Sequence, residues 1–422
     1  MGFQHGLSGI NAASTNLDVI GNNIANANTA GFKQSQAQFS DIFANSLEGT
    51  DTAQVGIGAK ISTIAQQFGQ GNITPTSNPL DVAISGQGFF RVTDQGVVSY
   101  SRNGQFHIDD EGFIIDASGS FLTGYPADNN GIVIASDMPS PLKFSTADLE
   151  PTATAKIEMG FNLDARESEE TIPFSATNGK SYTHTTSGTV IDSLGNNHVL
   201  GVYFQKTATP NTWNVFVTVD GAVDDPATGV PVGVTLGTAS PQTLVFDTNG
   251  KLQTPDTPLD LSINFNTIDP KLGVVTPQVV SLDLTTATQY GSSFGITALK
   301  QDGNTSGRMS GFAVNADGTI QANYSSGKSK VLGQIVLANF VNPQGLAPIG
   351  DGHWVETPAS GEPLVGGPKT GGLGTLQSNA IEDSNVDLTA ELVKMIAAQR
   401  MYQASAKTIE TQDQIIQTIT NI

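Results

Sequence analysis

The chain's 422 residues are enough for two or three domains with separate cores, and 46 Gly and 20 Pro against 14% charged residues predict turns and short strands. A net charge of −20 argues against nucleic acid or an anionic membrane as partner. The absence of Cys excludes disulfides, thiolate metal sites and a cysteine nucleophile.

Residues 1–30 read as a terminal helical segment, helical from 2 to about 28, that carries Phe3, Ile10, Leu17 and Ile24 seven apart, with Leu7 beside them. Gly31 stands where a helix stops. The first basic residue is Lys33, and no apolar run approaches the roughly 18 residues of a membrane span. Neither a cleavable secretory signal nor membrane insertion is therefore expected. Residues 31–75 mix Gln, Ser, Gly and Thr with scattered apolar positions, which predicts an extended connector.

From Leu80 the pattern changes to short strands: DVAI, a Gly-Gln-Gly turn, FFRV, a DQG turn, then VVSYSR. Gly86 and Gly88 form a G-x-G, but no helix follows, so a dinucleotide site is not expected. Asp109-Asp110-Glu111-Gly112 lacks the alternating ligands of a calcium loop and reads as a hairpin turn. Residues 146–289 continue as strands and hold 6 basic and 16 acidic residues, half of the chain's excess. There WNVFVTVDG puts Trp213, Val215, Val217 and Val219 on one strand face. The earlier strand style returns at 290–375, so 146–289 reads as a β domain inserted into a discontinuous β domain of 76–145 plus 290–375.

In the last stretch, 376–422, Leu388, Met395, Tyr402, Ile409 and Ile416 stand seven apart, with Leu392 alongside. Heptad columns at both ends predict helices that pack on helices, either on each other within one chain or on other copies. Narrow stripes make such helices marginal alone, so both ends are expected to be disordered in the free chain and helical on assembly. About half a turn from the second column lie Ala397, Arg400, Ala404, Thr411 and Thr418, all small or polar.

No catalytic, cofactor or metal residues are assigned. His5, His107, His184, His198 and His353 are scattered, and no G-x-S-x-G or H-E-x-x-H occurs. The two Trp, Trp213 and Trp354, sit in patterns that suit packing rather than sugar platforms. The expected class is not an enzyme.

Several blocks carry a resemblance. NNIANANTAGFK runs from Asn22 to Lys33, PLDVAISGQGFFRV from Pro79 to Val92, SRNGQF from Ser101 to Phe106 and LTGY from Leu122 to Tyr125. SNVDLTAELVKMIAAQRMYQASAK runs from Ser384 to Lys407. With these blocks the chain resembles the bacterial flagellar rod and hook family of axial proteins. VIDSLGNNHVLGVYF (Val190 to Phe204), LVFDTNGKL (Leu244 to Leu252) and ANFVNPQGL (Ala338 to Leu346) are similar to its hook branch.

The resemblance implies a mainly β body with α-helical N- and C-termini, discontinuous and multidomain, whose ends form a coiled-coil-like inner tube in the polymer, with 76–145 plus 290–375 as the wall domain and the inserted 146–289 as the outer domain. It implies a structural, self-assembling hook subunit, extracellular, coupling rod to filament and letting exported subunits pass. The implied partners are copies of itself, the distal rod protein, hook cap, hook-length ruler, hook–filament junction protein and the flagellar type III export apparatus. Phe3, Leu7, Ile10, Leu17, Ile24, Leu388, Leu392, Met395, Tyr402, Ile409 and Ile416 would make subunit contacts. Ala397, Arg400, Ala404, Thr411 and Thr418 would face the lumen. Matching the family motifs are Asn22, Asn23, Asn26, Thr29, Gly31, Phe32, Lys33, Ser384, Asn385, Gln399, Arg400 and Tyr402. Two rivals stand beside this reading: a distal rod subunit, and a secreted carbohydrate-binding or hydrolytic β protein.

Overall fold

The computed structural model describes residues 2–42, 56, 58–128, 131–136, 138–144, 148–221, 233–237 and 241–420. The chain divides into two compact units, Met1–Thr146 with Gly311–Asn323 and Ser329–Ile422, and Ala147–Ser310 with Tyr324–Lys328.

In the first unit, helix α1 (Gly2–Ala25) leads into a hairpin of strands β1 (Ser35–Ile42) and β2 (Gly58–Gln66), and helix α2 (Leu388–Thr420) ends the chain. The expected extended connector is thus partly a two-stranded sheet, paired from Ser35↔Gln66 to Ile42↔Gly58. It lies on α1, where Gly58 sits against Ser8 and His5 Nε2 is 2.6 Å from Gly56 O. Strands of eight and nine mostly polar residues hide this pairing from sequence because alternation is weak when neither face is a core.

The wall is a 13-stranded sheet that includes Phe89–Asp94, Val97–Ser101, Phe121–Pro126 and Ser329–Ile335. Both of its faces are covered, so Phe89 and Phe90 are both buried although they point to opposite sides. Phe90 and Val92 join the larger core with Ile84, Leu122 and Ile335. Phe89 joins an aromatic cluster of Tyr100, Phe340 and Trp354. Two further pairings, Ile73–Pro75 with Ala380–Glu382 and Val82–Ser85 with Thr375–Ser378, stitch the entry and exit of the wall together. That is how the chain's two ends meet. At the acidic turn, Asp109 Oδ1 accepts the N–H groups of Glu111 and Phe113, as a hairpin turn requires.

The second unit is a pair of sheets around one core. An antiparallel sheet of His184–Ile191, Asn197–Lys206, Thr212–Val219, Gln242–Phe246 and Leu252–Thr254 shares its buried residues with a sheet built on Lys156–Asp164. Trp213, Val215, Val217 and Val219 all enter that core, on the face their alternation indicated. The unit runs to Ser310 rather than 289, because Gly295–Gln301 pairs antiparallel with Lys156–Asp164.

One of its turns is built on the buried Asp192. Asp192 Oδ1 accepts from the backbone of Leu194 and Asn196, while Oδ2 accepts from Asn196 Nδ2 at 2.8 Å and lies 3.1 Å from His198 Nε2. Burial opposes ionisation, but the bonds from Asn196, His198 and Leu194 prevail and hold the carboxyl below its ordinary value. A depressed folded pKa stabilises above the unfolded value of about 3.9 and loses that contribution as pH falls through the folded value. Acid should therefore destabilise the second unit below about pH 4. Asp192→Asn should flatten the pH dependence of its unfolding midpoint, followed by Trp213 fluorescence; an unaltered slope would show that Asp192 is not the group responsible.

Candidate functional site: the terminal helices and their junction

The terminal helices pair within one chain. A Cβ placed on Gly6 would stand 2.5 Å from Ile409 Cγ1, and one on Gly9 would stand 2.6 Å from Ser405 Oγ. Gly6, Ala13 and Ile20, seven apart, are buried along α1; Glu391 and Ala398 are buried and Ser405 and Gln412 half-buried along α2, again seven apart. The seam is a heptad in which Gly6, Ala13, Ala398 and Ser405 are small beside the larger Ile20, Glu391 and Gln412, and glycine and alanine let the backbones approach closely. Bulky columns are displaced to its flank. Ile10, Leu17, Ile24, Met395 and Ile409 are half-buried there, whereas Phe3, Leu7, Tyr402 and Ile416 are exposed. Helix pairing and the hairpin hold both ends helical in the single chain, contrary to the disorder expected of isolated stripes.

Exposure concentrates on α2. Leu388, Leu392, Val393 and Ile396 are 47, 45, 63 and 52% exposed, and Met401 and Ile415 are also open. Ala397, Arg400, Ala404, Thr411 and Thr418 are exposed as well. The Thr411 and Thr418 hydroxyls donate back to the carbonyls of Lys407 and Gln414, both at 2.8 Å, so their donors are already used.

The motif residues gather where α1, the hairpin, the wall and α2 meet. Gly31 adopts φ +70°, and a Cβ there would overlap the backbone of Arg102 and Asn103. Its N–H donates to Glu382 O at 2.7 Å. Lys33 Nζ donates to Glu382 Oε1 at 2.6 Å and to Gly69 O at 2.9 Å, while Arg102 NH1 reaches Glu382 Oε2 at 3.0 Å. All three side chains are buried. Burial pushes the Lys33 amine and the Arg102 guanidinium below their usual values, with Glu382 pulling the other way.

A second knot lies beside the first. Asn23 exchanges hydrogen bonds with Ser35, at 2.7 and 2.9 Å, and donates to Glu391 Oε2 at 3.2 Å. Gln34 Nε2 and Lys394 Nζ each lie 2.6 Å from Glu391 Oε1. Asn385 Oδ1 accepts from Gln34 N and its Nδ2 donates to Gln67 O, both at 2.7 Å. Asp387 caps α2 through the N–H groups of Thr389 and Ala390. Asn22, Asn26 and Thr29 bond among themselves at the end of α1, and Ser384 Oγ accepts from Val386 N. Gln399, Arg400 and Tyr402 lie apart from this junction, exposed on α2. Sequence reasoning missed Arg102, Glu382 and Glu391 as members, since charges 280 and 349 positions from their partners leave no spacing to read.

Comparison with known proteins bears on this geometry. Residues 3–33 match the flagella basal body rod protein family, 83–147 the flagellar hook protein FlgE/F/G D1 domain, 162–304 the flagellar basal body protein FlaE D2 domain and 377–422 the flagellar basal body rod FlgEFG protein C-terminal family. Over 426 aligned positions the chain is 42% identical to the flagellar hook protein FlgE of Salmonella typhimurium and to that of Escherichia coli, with 100% of each chain covered. It is 34% identical to the FlgE of Borreliella burgdorferi over 99% of this chain and 98% of that one. The chain belongs to the flagellar hook protein family. The crystal structure of Helicobacter pylori flagellar hook protein FlgE2, 14% identical, shares the fold with a TM-score of 0.53 over 73% of this chain and 100% of its own.

In this member of the hook family two of the histidines pair with carboxylates. His198 sits between Asp220 Oδ2 at 2.6 Å and Asp192 Oδ2 at 3.1 Å, and His353 Nε2 lies 2.9 Å from Asp116 Oδ2. Trp213 and Trp354 are buried, their indole N–H groups given to Gln289 and Gln66. Among the described residues no group of three or more His, Asp or Glu is placed to hold a metal, and no helix is long and apolar enough to cross a membrane.

Proposed function

We propose that this chain, a structural subunit of the flagellar hook, assembles with copies of itself into a hollow helical tube whose inner layer is built from α1 and α2. The observation that carries this reading is the apolar surface of α2. A helix of 33 residues presents Leu388, Leu392, Val393 and Ile396 about half-exposed at its start, and Tyr402, Ile415 and Ile416 farther on. Clustered exposed apolar side chains of this kind mark interaction surfaces. The small or polar set Ala397, Arg400, Ala404, Thr411 and Thr418 would face the lumen, where an unfolded apolar chain in transit would find little to bind.

Membership of the family extends the reading to its neighbours: rod, cap, ruler, junction protein and type III export apparatus, with the hook outside the cell. The acidic second unit would lie outermost and make polar, sliding contacts as the tube bends. Negative-stain images of the concentrated protein should show curved tubes, and Ala404→Cys in those tubes should react with small thiol reagents but not with bulky ones. Sedimentation as a monodisperse monomer at every concentration would refute assembly, and rapid labelling by a bulky reagent would refute the lumen assignment alone.

A further inference from the structure

Two surfaces of the first unit, an apolar row and an uncharged groove of mixed polarity, differ in shape. Leu388, Leu392 and Ile396 follow i, i+4, i+8 spacing and so form one row on α2, each about half-exposed. The other surface is an open groove of about 590 Å³ beside strand β2, lined by Gln38, Thr63, Ile64, Phe68, Leu346 and Pro348. Its sides are tied together: Gln344 Nε2 donates to Gln66 O and Trp354 Nε1 to Gln66 Oε1, both at 2.6 Å. No residue of α2 is among those lining it.

We propose that this groove receives the Leu388–Leu392–Ile396 row of a second copy of the chain. The inference rests on the self-assembly reading above and names the surfaces that would meet. A row of anchors one helical turn apart is what a helix presents to a groove. The groove has no charged side chain in its lining, only Ser, Thr and Gln around Ile64, Phe68, Leu346 and Pro348, so it suits an uncharged aliphatic row rather than an ionic ligand. Row and groove are distinct patches on one chain, so in the tubular assembly proposed above their pairing is head-to-tail. Such a contact, when its rotation does not close, generates an open helical filament rather than a dimer.

The absence of Cys makes the test clean, since every disulfide must come from introduced residues. Full-length chains carrying Thr63→Cys, Ile64→Cys or Pro348→Cys are each mixed with chains carrying Leu392→Cys or Ile396→Cys, assembled and mildly oxidised. At least one mixture should give a covalent dimer, and the same two substitutions on one chain should give a ladder of higher multiples. Tubes that form while no mixture cross-links would overturn the docking and leave self-assembly standing. Bonds between two α2 cysteines, or within a dilute single chain, would also overturn it. Failure of the unmodified chain to polymerise at all would instead remove the reading on which the docking rests.

Discussion

Glu382→Ala lowers the stability of the first unit by about 3–5 kcal/mol, the cost of removing one partner from a buried ion network. Lys33 and Arg102 would be left without a counter-ion inside a site where all three side chains are buried. Neither cation can reach water without opening the junction between β1, the wall and the exit strand Ala380–Glu382. Lys33→Met should cost far less, because it leaves Arg102 and Glu382 as a neutral pair and fills the space with apolar atoms of similar length. The measurement is urea unfolding in a Trp213→Phe background, where Trp354 fluorescence reports the first unit alone. At an m-value of about 3 kcal/mol/M the midpoint should fall by roughly 1 M or more. A shift equal to that of Lys33→Met would mean that the charges are not isolated from solvent.

Leu392→Ser with Ile396→Ser raises the concentration needed for polymer growth by on the order of 10- to 100-fold while leaving the monomer folded. Fully burying such a side chain contributes roughly 1.5–3 kcal/mol, and each is already about half-buried, so the pair supplies roughly 1.5–3 kcal/mol on assembly; 1.4 kcal/mol is tenfold. Ile409 behaves differently. It was expected from its heptad column to be an assembly contact, but it packs over Gly6 in its own chain. Ile409→Glu should therefore loosen the α1–α2 pairing and lower the helical circular dichroism of the monomer itself. Pelleting assays on the three chains, beside their monomer spectra, separate the cases. Assembly of the Leu392/Ile396 variant at the unmodified concentration would exclude this surface from the polymer contact.

Helices at both ends and a β-rich body were legible in the sequence because each rests on a local period or a turn. Leu388 to Ile416 keep their spacing of seven wherever the partner lies, and Trp213 to Val219 alternate because one sheet face is buried and dry. The hairpin β1–β2 was not legible, since its strands carry no period-two contrast. The return of the chain at Gly311 was missed because pairing of Gly295–Gln301 with Lys156–Asp164 joins segments more than 130 residues apart.

Sequence alone determined the terminal helices, the turns and the motif blocks, which depend on neighbours within a few residues. Only the tertiary structure decided which heptad face is seam and which is surface. That choice turns on how closely two backbones approach, and Gly6, Gly9 and Ala398 settle it by having too little side chain to keep them apart. The structure likewise decided that Asn23, Gly31, Lys33 and Asn385 meet in one junction. Their partners Arg102, Glu382 and Glu391 come from distant segments, and a buried charge is stable only where the fold brings its counter-ion.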